Sequence, residues 1–321
     1  MTSETTKLRS QDWCLIASLK KSGSLYTHAL LQAAVKSLGH PDSRPYNATP
    51  VSQWYPILRH TPNLYSLSEH TQTVFADSEN RTHFSSSDVA FYEAICSENL
   101  SKHVSGILGC LNDTERITLS CERIHRLLSL YPAGKPTITV DPNFLMDNGI
   151  FATNFLFETL RSRLSGINIR PFVVVRNPRD VMNSYIQMLF EHEKETPESI
   201  SKSKNYLFKK AYFSGALHLI RGHGDVVVFD FKFLKDDPLG FLSTIGQHLG
   251  IKLFNPDTIQ LPVIPNKSKA KAEDIMPAED LARLHAELVG EVETYKQLFK
   301  HGSTVVLSSI DVPEYVRQLP K

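Results

Sequence analysis

The sequence predicts an α/β fold, one domain spanning residues 1–321 around a central, mostly parallel sheet of about five strands flanked by helices. Three features carry that expectation. Short apolar runs alternate along the chain with longer stretches of helical period. Runs such as residues 171–175 (PFVVV) are apolar at every position, as strands covered on both faces must be. The helical stretches open and close on residues that favour helix ends.

Taken in order, residues 13–18 (WCLIAS) form the first apolar run, suited to a buried strand. A loop containing Gly23 leads into a helical pattern over 25–38, ended by Gly39, His40 and Pro41. Residues 41–134 are less regular and rich in Ser, Thr, Asn, His and aromatics, with helical patterns at 86–108 and 113–131. That stretch reads as an insertion over the sheet edge, where a substrate-selecting lid would sit. The regular alternation then resumes. Residues 137–140, 171–175 and 225–229 read as strands, and 149–164, 178–193, 206–221 and 238–249 as helices. A long amphipathic helix is expected over 278–299.

Charge narrows the function classes. With 35 Lys+Arg against 34 Asp+Glu the net charge is +1, so nothing global draws the chain to nucleic acid or an anionic membrane. An anionic ligand would need a local cluster of positive groups. No stretch approaches the roughly 18 apolar residues of a membrane span, and the polar first residues do not resemble a secretory signal, so a cytoplasmic location is expected. The four cysteines form no CxxC pair and no metal-ligand spacing, so no metal is expected. Cys14, inside the first apolar run, reads as a buried thiol.

Two loops carry chemistry. In the first, Lys21, Ser22, Gly23 and Ser24 stand between a buried strand and a helix N-terminus. That end offers unpaired backbone N–H groups and the positive pole of the helix dipole, an arrangement suited to anions. The plainer alternative is a capped turn with a solvated lysine. In the second, Arg176 leaves a strand, Asn177 can cap the next helix and Pro178 fits its first position. Ser184 lies seven residues beyond Asn177 and shares its helix face. A guanidinium fork and a hydroxyl converging there suit a phosphate monoester. Pairing of Arg176 with a nearby carboxylate is the alternative.

Together these loops resemble the PAPS-dependent sulfotransferases, where PAPS is 3′-phosphoadenosine 5′-phosphosulfate. The family's first loop, approximately P-K-S-G-T-T-W, is matched by KKSGSLY at residues 20–26. Its second, approximately R-N-P/A-R/K-D-V-x-x-S-Y, is matched by residues 176–185. Residues 228–251 resemble the family segment FYEDLKxDPxxxLxxIxxFLGI. Lys20 replaces the family's proline, Leu25 its second threonine, Tyr26 its tryptophan, Phe231 a tyrosine and Lys232 a glutamate.

The resemblance implies a P-loop-like sulfotransferase fold and sulfuryl transfer from PAPS to a hydroxyl or amine of a small-molecule acceptor. It gives Lys21 the leaving-group oxygen, and Ser22, Gly23, Ser24 and Leu25 the 5′-phosphosulfate. Arg176 and Ser184 would hold the 3′-phosphate. The family's basic segment near the C-terminus maps onto Lys267 and Lys269. A general base follows the next strand in the family as histidine; here Asp141 stands there, with His83 and His60 of the insertion as the other candidates. The expected partners are the acceptor and a second copy of the chain as a homodimer, with no nucleic acid and no membrane. A nucleotide kinase is disfavoured, because no G-x-x-x-x-G-K-[ST] loop exists. A non-catalytic nucleotide-binding relative stays open.

Overall fold

The first strand, β1 (Asp12–Ser18), is apolar because Trp13, Cys14, Leu15 and Ile16 are all buried, with neither face left to water. The computed structural model describes residues 12–18, 22–40, 44–48, 135–141, 168–191, 193–202, 226–263 and 270–307, and element numbers run over these alone. The helical patterns at 86–108, 113–131, 149–164 and 206–221 lie outside them. The remaining strands are β2 (Asn47–Ala48), β3 (Thr137–Asp141), β4 (Asn168–Val175), β5 (Val226–Asp230) and β6 (Thr304–Leu307).

Their order across the sheet is β2-β3-β1-β4-β5-β6; β6 alone of these runs antiparallel. The sheet is therefore mostly parallel, as the apolar runs require. Strand β4 begins three residues before its apolar run, because Asp12, Trp13 and Cys14 of β1 extend the ladder to Asn168, Ile169 and Arg170. Pairing, rather than side-chain polarity, sets that start.

Helix α1 (Ser24–Ser37) follows β1, and α2 (Pro178–Glu191) follows β4. Next come α3 (Pro197–Lys202), α4 (Phe231–Asp236), α5 (Pro238–Leu249), α6 (Ala272–Ile275), α7 (Ala278–Ala286) and α8 (Val289–Leu298). Helix α5 keeps its expected bounds because both ends are specified chemically. The Asp237 carboxylate accepts from the Gly240 N–H at 2.9 Å, Pro238 takes the first position, and Gly250 closes the helix at φ 65°.

One core cluster joins α1 and α5 to a sheet face through Leu30, Cys14, Phe172, Phe229 and Ile245. Burial there confirms Cys14 as a packed thiol. A second cluster packs α2 against α6, α7 and α8 through Met182, Ile186, Ile275, Leu284 and Val292.

One expectation needs revision. The single helix at 278–299 is two helices, broken at Glu287 and Leu288. The Leu288 N–H turns back to the His285 carbonyl at 3.2 Å, a tightened last turn, and Gly290 lowers the helical preference just beyond. The break lets Leu284, Leu288 and Val292 all face the second cluster. Of the insertion that starts at residue 41, the described residues 44–48 pack at the sheet edge. Tyr46 is buried, its hydroxyl donates to the Leu253 carbonyl at 2.8 Å, and Asn47 and Ala48 pair with β3. The rest of that insertion, from residue 49 to 134, lies outside the described residues.

Candidate functional site

The strand order places the chain's turning point beside β1. From β1 the sheet grows one way through β3 and β2, and the other way through β4 and β5. In open α/β sheets the crevice outside the carboxyl ends of strands at such a point is where ligands bind. Here the registers Ala17↔Asp141, Ser18↔Val174 and Val175↔Asp230 bring the ends of β3, β1, β4 and β5 to one edge. Both chemistry-bearing loops leave from it, one after β1 and one after β4.

Gly23 forms the N-cap of α1 at φ 84° and ψ 23°, a left-handed conformation that costs other residues about 1–2 kcal/mol. Space demands glycine as well. A methyl group at Gly23 would overlap the Phe231 ring, 2.8 Å from Cδ2 and nearer still to Cε2. Its carbonyl accepts from the Thr27 N–H at 2.8 Å and from the Thr27 hydroxyl at 3.0 Å, so the first turn is tied down. Gly23→Ala is expected to lower stability by at least about 1 kcal/mol from the backbone alone. A denaturant midpoint equal to wild type would contradict that account.

Ser22 is fully buried, and its hydroxyl has no hydrogen-bond partner among the described residues. A buried polar group left unsatisfied costs about 1–3 kcal/mol, so this hydroxyl suits a ligand oxygen. Ser24 and Leu25 begin α1, where backbone N–H groups lack helical acceptors. Tyr26, in the family's tryptophan position, is part of the core beside Leu30, and burial raises its phenol pKa.

After β4, the Asn177 carboxamide accepts from the Arg179 N–H at 3.0 Å, and the Asn177 carbonyl from the Val181 N–H at 3.0 Å. The capping read from the sequence is therefore present. Arg176 lies over the Phe231 ring, with Cζ 5.0 Å from the centroid, a cation–π contact. Burial lowers the Arg176 pKa, while Asp180 and Tyr295 oppose that shift. Ser184 is half-buried on α2. Next to it, Asn183 Oδ1 lies 2.8 Å from His285 Nε2 of α7, and burial holds the His285 pKa below its usual value.

Asp141 is the last residue of β3, opposite Ala17 of β1, so its backbone stands at the same sheet edge. Lys21, His60, His83, Lys267 and Lys269 lie outside the described residues. The flank of the basic segment is visible: the Ala270 N–H donates to Glu191 Oε1 at 3.0 Å, at the far end of α2.

Sequence reasoning missed Phe231 as a link, noting it only where the family has tyrosine. Its ring touches the Gly23 loop and Arg176 together. It also missed Tyr295, whose hydroxyl donates to Asp230 Oδ1 at 2.7 Å. The signal is the Val175↔Asp230 register, which sets the residue just after β5 beside Arg176. Nothing local marks Tyr295. Among the described residues no cluster of His, Cys, Asp and Glu could hold a metal ion, and no helix is long and apolar enough to cross a membrane.

The family model described as Sulfotransferase domain matches residues 11–261. No curated protein matches the sequence at a significant level. Among solved structures, the chain is similar to a sulfotransferase from Alicyclobacillus acidocaldarius, at 14% identity and a TM-score of 0.46, covering 88% of this chain and 95% of that one. It is also similar to the sulfotransferase domain from the curacin biosynthetic pathway, at 14% identity and a TM-score of 0.43, covering 88% and 98%. Retinol dehydratase, solved in a complex with retinol and PAP, shows 13% identity and a TM-score of 0.30, covering 90% of this chain and 81% of its own. Likeness at this level carries no weight for substrate.

Proposed function

Because this chain belongs to the sulfotransferase domain family, we propose that it transfers a sulfuryl group from PAPS to a hydroxyl or amine of a small-molecule acceptor. One observation supports this above the others. The two loops at the turning point of the sheet hold a buried hydroxyl with no partner among the described residues, Ser22, and an arginine, Arg176. Two anion-binding loops suit a nucleotide carrying separate phosphate and phosphosulfate groups.

In this reading the N–H groups of residues 22–25 and the Ser22 hydroxyl hold the 5′-phosphosulfate. Arg176 and Ser184 hold the 3′-phosphate, with Lys267 and Lys269 adding positive charge for it. Bound PAPS supplies an activated sulfuryl group. Lys21 donates to the bridging oxygen, on which charge grows as the S–O bond breaks. Asp141 accepts the proton released by the acceptor hydroxyl as the new S–O bond forms, His83 being the alternative base. The products are the sulfated acceptor and adenosine 3′,5′-bisphosphate. Fixed cations and helix dipoles supply the electrostatic stabilisation.

Adenosine 3′,5′-bisphosphate is expected to raise the melting temperature, whereas ATP and NAD leave it unchanged. A ligand at about 100 times its dissociation constant adds about 2.7 kcal/mol of stability. For a domain of this size that amounts to an upward shift of several degrees, within reach of scanning fluorimetry. Equal stabilisation by ATP, or none by the bisphosphate, would overturn the assignment to PAPS.

A further inference from the structure

The family match ends at residue 261, yet the chain beyond it grips the frame of the site. Ala270 bonds Glu191 and His285 meets Asn183, both on α2. Tyr295 of α8 reaches further, to the sheet edge itself, where its hydroxyl donates to Asp230 Oδ1 at 2.7 Å. The same Asp230 oxygen accepts from the Lys232 N–H at 2.9 Å and so caps α4, whose first residue is Phe231.

A helix of six residues has little stability of its own, so its placement depends on its cap and its neighbours. Asp230 is the last residue of β5, aligned with Val175, and Phe231 then falls beside Arg176. The Cδ2–Cε2 edge of the Phe231 ring meets Gly23, where no side chain would fit. Tyr295 is itself held by edge-to-face contact with Phe299, the ring centroids 5.1 Å apart. Burial and the Asp230 carboxylate raise its pKa far above neutrality, so the hydroxyl keeps its proton and donates throughout the physiological range.

We propose that Tyr295 is a positioning residue for the nucleotide cradle. Its hydroxyl fixes the Asp230 carboxylate, and Asp230 fixes the first turn of α4. The Phe231 ring is thereby set against both Gly23 and Arg176. One ring then registers the two anion-binding loops against each other, and α8 holds that ring in place. The inference rests on the cradle taking PAPS, and extends the site to a residue beyond the family match.

Calorimetric titration with adenosine 3′,5′-bisphosphate tests it on the full chain, using wild type, Tyr295→Phe, Phe231→Leu and the double variant. Titrations run well below each melting temperature, with folding checked by circular dichroism, so that lost stability alone does not move the affinity. Tyr295→Phe is expected to weaken binding about tenfold, the scale of a lost hydrogen bond to a charged group. In the Phe231→Leu background the same change should cost about twofold or less, because both act through one ring. Asp230→Ala, which removes both this bond and the α4 cap, should weaken binding at least as much as Tyr295→Phe. Unchanged affinity in Tyr295→Phe and Asp230→Ala, or an equal loss in both backgrounds, overturns the positioning role while leaving the proposed function intact. Failure of the wild type to bind the bisphosphate removes the proposed function and this inference with it.

Discussion

Lys21→Ala is expected to lower turnover on every acceptor by about 100-fold or more while changing bisphosphate affinity only by a few-fold. The asymmetry follows from where charge grows. In the ground state the bridging oxygen carries little excess charge, and the N–H groups of the loop already satisfy the phosphate. As the S–O bond lengthens, negative charge gathers on that oxygen, and an ammonium one residue before the buried Ser22 is suited to meet it. Single-turnover sulfation, with PAPS saturating and acceptors drawn from a phenol and alcohol series, isolates the chemical step. A loss of affinity with unchanged single-turnover rate would make Lys21 a binding residue. No loss of either kind would return the loop to a capped turn.

The elements legible in the sequence are those whose ends are written locally. Helix α5 is bounded by Pro238 and Gly250, and α2 opens on Asn177 and Pro178; both helices keep those ends, and the Asn177 cap is present as a hydrogen bond. The strands were legible where burial makes them apolar throughout, as in residues 13–16 and 172–175. What escaped notice was set from a distance. Strand β2 has two residues, and only its pairing with Thr137 and Ile138 makes it a strand. Strand β6 carries a half-exposed Val306 on the sheet edge, too short a pattern to separate from a loop. The break at Leu288 has no proline to announce it, since packing against α2 decides it.

The site divides in the same way. Gly23 and Arg176 could be chosen by residue type and by their places after strands. The contact that joins them could not, because Phe231 arrives from a third strand and its ring identity says nothing about two distant partners. Tyr295 is further removed, being read as one position on an amphipathic helix whose course was taken as unbroken. Its bond crosses 65 residues to Asp230, from a helix that begins after the turn at residues 287–288.

Arg176→Ala is expected to weaken binding of adenosine 3′,5′-bisphosphate by about 1.5–3 kcal/mol, the range of a lost charged hydrogen bond, or about 10- to 150-fold. Adenosine 5′-phosphosulfate, which lacks the 3′-phosphate, should lose little. The structure adds a complication to this contrast. Arg176 also covers the Phe231 ring, a contact worth about 0.5–2 kcal/mol, and that ring lies against the Gly23 loop. Some loss should therefore reach both ligands, and the measured quantity is the ratio of their affinities. Arg176→Lys separates the two contributions. It keeps a positive charge for the phosphate but loses the flat fork that stacks on the ring and grips two oxygens at once. Its bisphosphate affinity should fall between wild type and Arg176→Ala, while its phosphosulfate affinity stays near that of Arg176→Ala. Calorimetric titration of both ligands into the three proteins measures the ratio directly. If Arg176→Ala weakens the two ligands equally, the guanidinium acts only by supporting Phe231, and the 3′-phosphate must be held by other groups.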